Sequence, residues 1–319
     1  LSRNRGGLYG RLTCEIKLTP FTLKECEDYF KNENIEMSRY DIVQSYMVFG
    51  GIPYYLSYFK KGMSFEGNAD NILFGKNPRL KDEFNRLFNA IFSNPEDCKK
   101  IIRLLAKKHV GFTREEIAKE TGLPFGGGLT DTLNALVESD FIQRYRPYNV
   151  SGKVSFYKLI DNFSLFWLKY VEPNTEDINF MTDNMTSNIM RVWRGVAFEE
   201  VCWQHIGQIK RALGISGVSS SISAWSVKGN DNKEGVQIDL LIIRNDNVVN
   251  LCEMKFAGDI YSIDKEEDAK IRNRIQTLIN TLSPKQSVHL TMITTYGVSH
   301  TMYGGRVQQQ VILDDLFQS

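Results

Sequence analysis

"GVQIDLLIIRNDNVVNLCEMKF", residues 235–256, decides how the C-terminal part of this 319-residue chain folds. It reads as two apolar strands joined by a polar turn. In residues 236–243 and 248–256 apolar side chains fall on both parities, the pattern of a strand covered on both faces. Yet Asp239, Glu253 and Lys255 interrupt those runs. Glu253 and Lys255 are two apart and share a face. The turn decides where Asp239 lies. A two-residue loop at Asn245 and Asp246 sets Asp239 against Cys252 and away from Glu253. A three-residue loop that includes Asn247 pairs Arg244 with Val248 and places Asp239 opposite Glu253. Asn tolerates the left-handed backbone such loops need, so the three-residue register is expected.

Two carboxylates and a lysine at one strand pair have two uses. An unpaired buried carboxylate costs on the order of several kcal/mol, and an internal salt bridge with Lys255 would offset that. Alternatively, oxygen donors suit Mg²⁺, which takes one or two carboxylates and keeps its waters. Such a cation stabilises charge on a phosphodiester, with the lysine positioned to help. A third acid adjoins them in the sequence. The helical stretch "NIMRVWRGVAFEEVCWQHI" is expected to turn Ile189, Val192, Val196 and Phe198 to Val201 toward the core. Glu199 is read as inward and Glu200 as solvated.

Around this segment the chain is 42% apolar and 24% charged, a composition able to bury cores, and its length suggests two or three domains. A net charge of +1 says nothing either way about nucleic acid, so any basic surface must be argued locally. The five cysteines are scattered singly, which favours free thiols in a reducing, cytoplasmic setting over zinc. No apolar run approaches the ~18 residues of a membrane span. No signal peptide is read in the polar, basic and glycine-rich start, and the opening "LSRNRGGLYGRLTCEIKLTPFTL" reads as the middle of a pattern, which suggests a fragment.

Four regions emerge. Residues 1–80 hold a short strand "CEIKL", a helix capped by Thr22 with Glu25 in the capping-box position, and a second helix from Ser38 to Gly50 and Gly51. A further helix, "YYLSYF", precedes a loop-like 60–79. Residues 81–165 run helix, helix–turn–helix, then a hairpin, the winged-helix order. Ile101, Ile102, Leu104 and Leu105 form one apolar face there, and Leu129, Leu133, Leu136 and Val137 another. The acidic, Pro-containing 166–184 is read as a linker. Residues 185–319 alternate helices and strands as an α/β domain.

In combination, "GVAFEE", "QID" and "CEMKF" resemble the PD-(D/E)XK nuclease superfamily. The resemblance implies a restriction-endonuclease-like αβββαβ core, with Glu199, Asp239, Glu253 and Lys255 as its catalytic and Mg²⁺- or Mn²⁺-binding set. Gln237 and Gln276 are rim candidates. The wider pattern, "NRGGLYGRLTCEIKLTPFTLKECEDYF", "YMVFGGIPYYL", "LTMITTYGV" and "VILDDLF", resembles the C-terminal part of prokaryotic AAA-type ATPases. That implies the end of the ATPase core and a helical lid in 1–80, a partner in the chain's own N-terminal ATPase domain, and ATP only in a full-length protein. No G-x-x-x-x-G-K-S/T is present; "GNADNILFGKN" and "PFGGGLT" are decoys. Arg5 and Arg11 fall loosely where such ATPases place nucleotide-contacting arginines, though solvated surface arginines are the better reading.

For DNA, the third helix of the winged-helix region offers Asp131, Glu138 and Asp140 and only Asn134 as a base reader, so sequence readout is not expected. Lys99, Lys100, Arg103, Lys107, Lys108, Arg144 and Arg146 could hold phosphates without reading sequence, or form a solvated face. The expected function is metal-dependent cleavage of DNA phosphodiesters, structure- rather than sequence-specific. The rivals are a non-catalytic regulatory module on the nuclease fold and a winged-helix regulator. A homo-oligomer stays open.

Overall fold

The computed structural model describes residue 14 and residues 16–149, 154–174, 176–227, 229 and 235–318. Arg5 and Arg11 lie outside them. Helices α1 (Leu23–Asn32) and α2 (Arg39–Phe49) begin where their caps predict: Thr22 and Glu25 complete a capping box, and Ser38 accepts from the Asp41 amide. The turn after α2 needs glycine, since a Cβ on Gly51 would stand 1.9 Å from the Phe21 carbonyl oxygen, whose own amide donates to Gly51. Helix α3 (Pro53–Leu56) follows. The described part of "CEIKL" forms no strand, and Ile16 and Leu18 are exposed.

Residues 60–79 are not the loop expected. Ser64 caps α4 (Phe65–Ala69), which continues as a π-helical turn over Asp70–Phe74 and buries Phe65, Ile72 and Leu73. Next come α5 (Glu83–Ile91), α6 (Pro95–Leu105), β1 (Phe112–Thr113), α7 (Arg114–Thr121), α8 (Gly127–Glu138), β2 (Ile142–Tyr145) and β3 (Phe156–Leu159). The three strands form an antiparallel sheet in the order β1-β3-β2. Thr113 and Glu116 form the second capping box, and Leu129, Leu133 and Leu136 are buried as the helical spacing requires, Val137 partly.

The 166–184 segment is a correction as well. It is not an exposed linker but holds the end of α9 (Asn162–Phe166), a π-helical turn (Trp167–Val171) and α10 (Phe180–Asn184). Trp167, Tyr170, Val171 and Met181 are buried. The buried Asp70 carboxylate clamps α10, accepting from the Met181 and Thr182 amides and the Thr182 hydroxyl at 2.7, 3.0 and 2.6 Å.

The rest of the chain runs α11 (Asn188–Gln204), α12 (Ile206–Ala212), β4 (Ser220–Val227), β5 (Val236–Arg244), β6 (Val248–Lys255), α13 (Lys265–Ile279), β7 (Ser287–Thr294) and β8 (Gln309–Ile312). The five-stranded sheet is ordered β4-β5-β6-β7-β8; β4 to β6 are antiparallel, while β7 and β8 join in parallel. Helix α13 makes the crossover that the parallel β6–β7 pair requires. Both faces are covered, which accounts for the apolar residues on both parities of β5 and β6. On one face Leu240, Ile242, Cys252 and Met254 join Phe198, Val201 and Cys202 of α11; on the other, Leu241, Val249 and Leu251 meet Ile271 and Leu278 of α13.

The α11 face shares one continuous core with the N-terminal helices and the three-stranded sheet. His205, at the break between α11 and α12, stitches them together. Its Nδ1 lies 2.8 Å from the Val201 carbonyl and its Nε2 accepts from the Leu23 amide at 3.0 Å. Burial pushes the imidazole down to about 4, so it is neutral. Two residues expected inside α11 are not there: Ile189 and Val192 are 51% and 59% exposed on its N-terminal turns. No helix among the described residues is long and apolar enough to cross a membrane.

Candidate active site

The β5–β6 ladder runs from Leu240↔Cys252 to Ile243↔Val249. Continued toward the turn, that register sets Arg244 against Val248. At the other end the ladder stops at Leu240↔Cys252. Asp239 lies on the α11 side with Leu240 and Glu199, while Glu253 lies on the α13 side with Leu251. The expected same-face pairing of Asp239 with Glu253 is thereby corrected. The connecting loop is Asn245, Asp246 and Asn247, and Asn247 takes φ 66°, the left-handed third position of a three-residue hairpin. On the other side of β5 the pairing shifts between Ser223↔Leu241 and Trp225↔Ile238, so Asp239 and Leu240 together oppose Ala224. This is a β-bulge, a device that bends a strand and re-aims a side chain. Asp239 sits at it, partly buried. Gln237 donates to its Oδ1 at 2.6 Å, and Trp203 of α11 donates to its carbonyl at 2.9 Å.

Glu253 and Lys255 face α13, and each is taken by a residue of that helix. Arg274 reaches Glu253 at 3.2 Å and also donates to the Gln237 carbonyl at 3.2 Å, tying β5 to β6. Lys255 pairs with Glu267 at 2.9 Å. Burial lifts the Glu253 carboxyl to about 7, although Arg274 and Lys255 pull the other way. Lys255 is raised: burial opposes its charge, but the Glu267 carboxylate more than offsets that.

Glu199, on α11, is partly buried and pushed up to about 8 by burial and by the charges of Asp239 and Glu200, against the pull of Lys158 and Lys255. Glu199 and Glu253 therefore each feel the charges of Asp239 and Lys255. The four do not converge as a cage, however, because no group of three or more His, Cys, Asp or Glu among the described residues gathers closely enough to hold a metal ion. Glu253 still feels the charge of Asp239, and the two are as many carboxylates as Mg²⁺ takes. Beside Asp239 and Glu199 lies a cavity of about 10 Å³, also bounded by Gln237, Lys158, His109 and Tyr145, with room for about one water.

Glu200 is not solvated as expected but completely buried, and it is the helix acid with a full set of counter-charges. Lys158 of β3 lies 2.7 Å away and His109 3.3 Å. These contacts are ionic, since neither Glu200 oxygen makes a well-aligned hydrogen bond. Burial alone would raise this carboxyl, but Lys158 and His109 bring it below its usual value. The Lys158 ammonium also stands 4.5 Å over the Trp203 ring. Sequence reading missed Lys158, His109, Arg274 and Glu267. Arg274 and Glu267 carried a weak signal as charges on the helix after E-x-K; Lys158 and His109 carried none.

Of the rim candidates, Gln237 touches Asp239, whereas Gln276 is exposed and bonds along its own helix to Asn280 at 3.2 Å. Among the basic residues, Lys99 pairs with Glu96 at 2.7 Å, Lys100 with Asp97 at 3.9 Å, and Arg103 holds Glu172 with two bonds of 2.6 Å. Lys107, Lys108, Arg144 and Arg146 are exposed.

The chain matches no family model. It is 28% identical over 245 residues to MJECL04, an uncharacterized protein of Methanocaldococcus jannaschii, an alignment covering 75% of this chain and 52% of the relative. The chain therefore spans about half the length of the curated relative it matches.

Proposed function

We propose that residues 185–319 form a PD-(D/E)XK nuclease-like domain that cleaves DNA phosphodiesters with Mg²⁺ or Mn²⁺. The observation that carries this reading is the mutual influence of the charges at the end of the β5–β6 ladder: Asp239 raises both Glu199 and Glu253, and Lys255 pulls both down. In it Asp239 and Glu253 hold the cation and Glu199 approaches from α11 as a third acid. When bound, the cation supplies charge stabilisation to the scissile phosphate. Lys255 places a positive charge beside the same phosphate, and Gln237 holds Asp239 in position. Raised carboxyls on Glu199 and Glu253 express an unmet demand for positive charge that a cation would satisfy.

The element order supports the rest of the assignment. Helix α6, then β1, α7, α8 and the β2–β3 hairpin, with sheet order β1-β3-β2, supports a winged helix. The buried helices before it support a lid, and with them the C-terminal part of an AAA-type ATPase whose N-terminal domain is this chain's partner.

A second reading rests on a specific observation: Glu253 and Lys255 already have protein partners in Arg274 and Glu267. That is how a nuclease fold kept for binding rather than chemistry would spend its E-x-K pair. Incubating plasmid DNA and Mn²⁺ with the protein and with a Glu253→Ala, Lys255→Ala variant separates the two. Cleavage by the parent and not the variant is expected; cleavage equal in both, or absent in both, removes the nuclease reading.

A further inference from the structure

A second cavity lies beside the acid cluster, with His109 lining both. Helices α6 and α11, strand β3 and the α9 segment with its π-helical turn enclose a cavity of about 640 Å³, within the size range of small-molecule sites. Its walls are apolar: Leu159, Leu165, Leu168 and Val196 line it, with Trp193 as a fully buried member. Its charge is one-sided. Lys107, Lys108 and Lys169 line it without a carboxylate partner among the described residues, and the one acid present, Glu172, is already held by Arg103. Lys108 stands 5.1 Å over the Phe112 ring and Lys169 stands 5.4 Å over that of Tyr170.

Two buried ring nitrogens lining the same cavity have no hydrogen-bond partner among the described residues: the indole N–H of Trp193 and Nε2 of His109. The cavity thus offers three unpaired ammonium groups and apolar walls, whereas a duplex backbone needs only an exposed basic track.

We propose that this cavity binds an organic phosphate, its phosphoryl oxygens taken by Lys107, Lys108 and Lys169 and its apolar body seated against the leucine wall and Trp193. The shared chemistry fits a free nucleotide or the terminal nucleotide of a single strand. The inference does not depend on the acid cluster being catalytic.

Calorimetric titration of the full chain with AMP, phenyl phosphate, inorganic phosphate and adenosine tests it. AMP and phenyl phosphate are expected to bind, with inorganic phosphate about tenfold weaker and adenosine undetectable, because both halves of the ligand contribute. Lys169→Met and the Lys107→Ala, Lys108→Ala variant should each weaken AMP binding about tenfold, as loss of a charge-assisted contact does. Leu168→Asp, which puts a charge on the apolar wall, should weaken it as well, with circular dichroism confirming the fold. A control variant, Arg144→Ala with Arg146→Ala, should bind like the parent. A 5′-phosphorylated octathymidylate binding more tightly than AMP, with the same variants weakened, identifies a strand end as the source; AMP binding more tightly identifies the free nucleotide. Absence of AMP and phenyl phosphate binding at millimolar concentration overturns the proposal. Equal loss in the control variant, or no loss in the lysine variants, does so too.

Discussion

Glu199 and Glu200 are adjacent on α11, both withdrawn from solvent, and shifted in opposite directions. Glu199 is pushed up to about 8, whereas Glu200, the more deeply buried, lies below its usual value. Burial alone cannot explain the difference, since it raises any carboxyl. The neighbours do. Glu200 faces Lys158 and His109 across from the three-stranded sheet, while Glu199 faces Asp239 on β5 and has Lys158 and Lys255 only at longer range. One acid is spent on joining two parts of the molecule. The other is left short of positive charge beside the strand pair that carries E-x-K.

The sharpest way to break that comparison is to remove the Glu200 counter-charge. Lys158→Ala should destabilise the protein by about 3–5 kcal/mol in urea unfolding, because an uncompensated carboxylate would be left fully buried. Replacing both partners, Lys158→Met with Glu200→Leu, should recover most of the loss. If the single variant unfolds like the parent, Glu200 is not the compensated acid described above.

The pH dependence should separate the two residues next. The folded carboxyl of Glu199 titrates near 8 and the unfolded one near 4.5. The folded state therefore holds the proton more tightly, and its stabilisation is complete below 4.5 and lost as pH rises through 8. Glu200 has the opposite sign: its contribution is present above 4.5 and declines as pH falls below that value toward its folded pKa. Unfolding free energies between pH 5 and 9 should fall by on the order of a few kcal/mol in the parent and by less in Glu199→Gln. Mn²⁺, if it binds at these acids, should flatten the fall, because it favours the charged carboxylate. A Glu199→Gln profile parallel to the parent's would show that Glu199 is not the raised group.

Arg274→Ala should cost less, about 1–2 kcal/mol, since the guanidinium is partly solvated. It removes the partner of Glu253 and should move that carboxyl above its present value of about 7. The same variant bears on the two functional readings. A nuclease whose Glu253 must take a cation should retain Mn²⁺-dependent cleavage without Arg274; in a binding module only stability should change.

What could be read from residues alone follows how local the deciding interaction is. The three-residue loop was legible because Asn247, able to adopt positive φ, settles it within the hairpin. The bulge that takes Asp239 off the Glu253 face was not, because it is set by the pairing with β4. The capped helices were legible as the loop was, since Thr22 with Glu25 and Thr113 with Glu116 act over three residues. Glu200 was not, because its partner Lys158 lies on a strand of another sheet. The helix in 60–79 was hidden by Gly67, Asn68 and Asp70, although Ser64 supplied its cap. Asp70 looked like loop chemistry and is in fact the clamp for α10. Ile189 and Val192 had core-like spacing, but they lie on turns of α11 whose outer side is exposed among the described residues.

The smallest effect expected is at the hairpin itself, and it asks whether register is what brings Asp239 into range of Glu199. Asn247 holds φ 66°, where a β-branched side chain is strained. Asn247→Gly should be neutral or slightly stabilising, while Asn247→Val should cost about 1–2 kcal/mol if the three-residue loop persists. If the strands slip by one residue instead, Asp239 turns to the opposite face. The Asp239 charge that helps raise Glu199 would then be lost, and the fall in stability between pH 5 and 8 should become shallower than in the parent, toward the Glu199→Gln profile. Strain without slippage predicts a uniform loss at every pH with the slope unchanged. The two outcomes are distinguished by the slope alone, so this variant tests the register through the acid that depends on it.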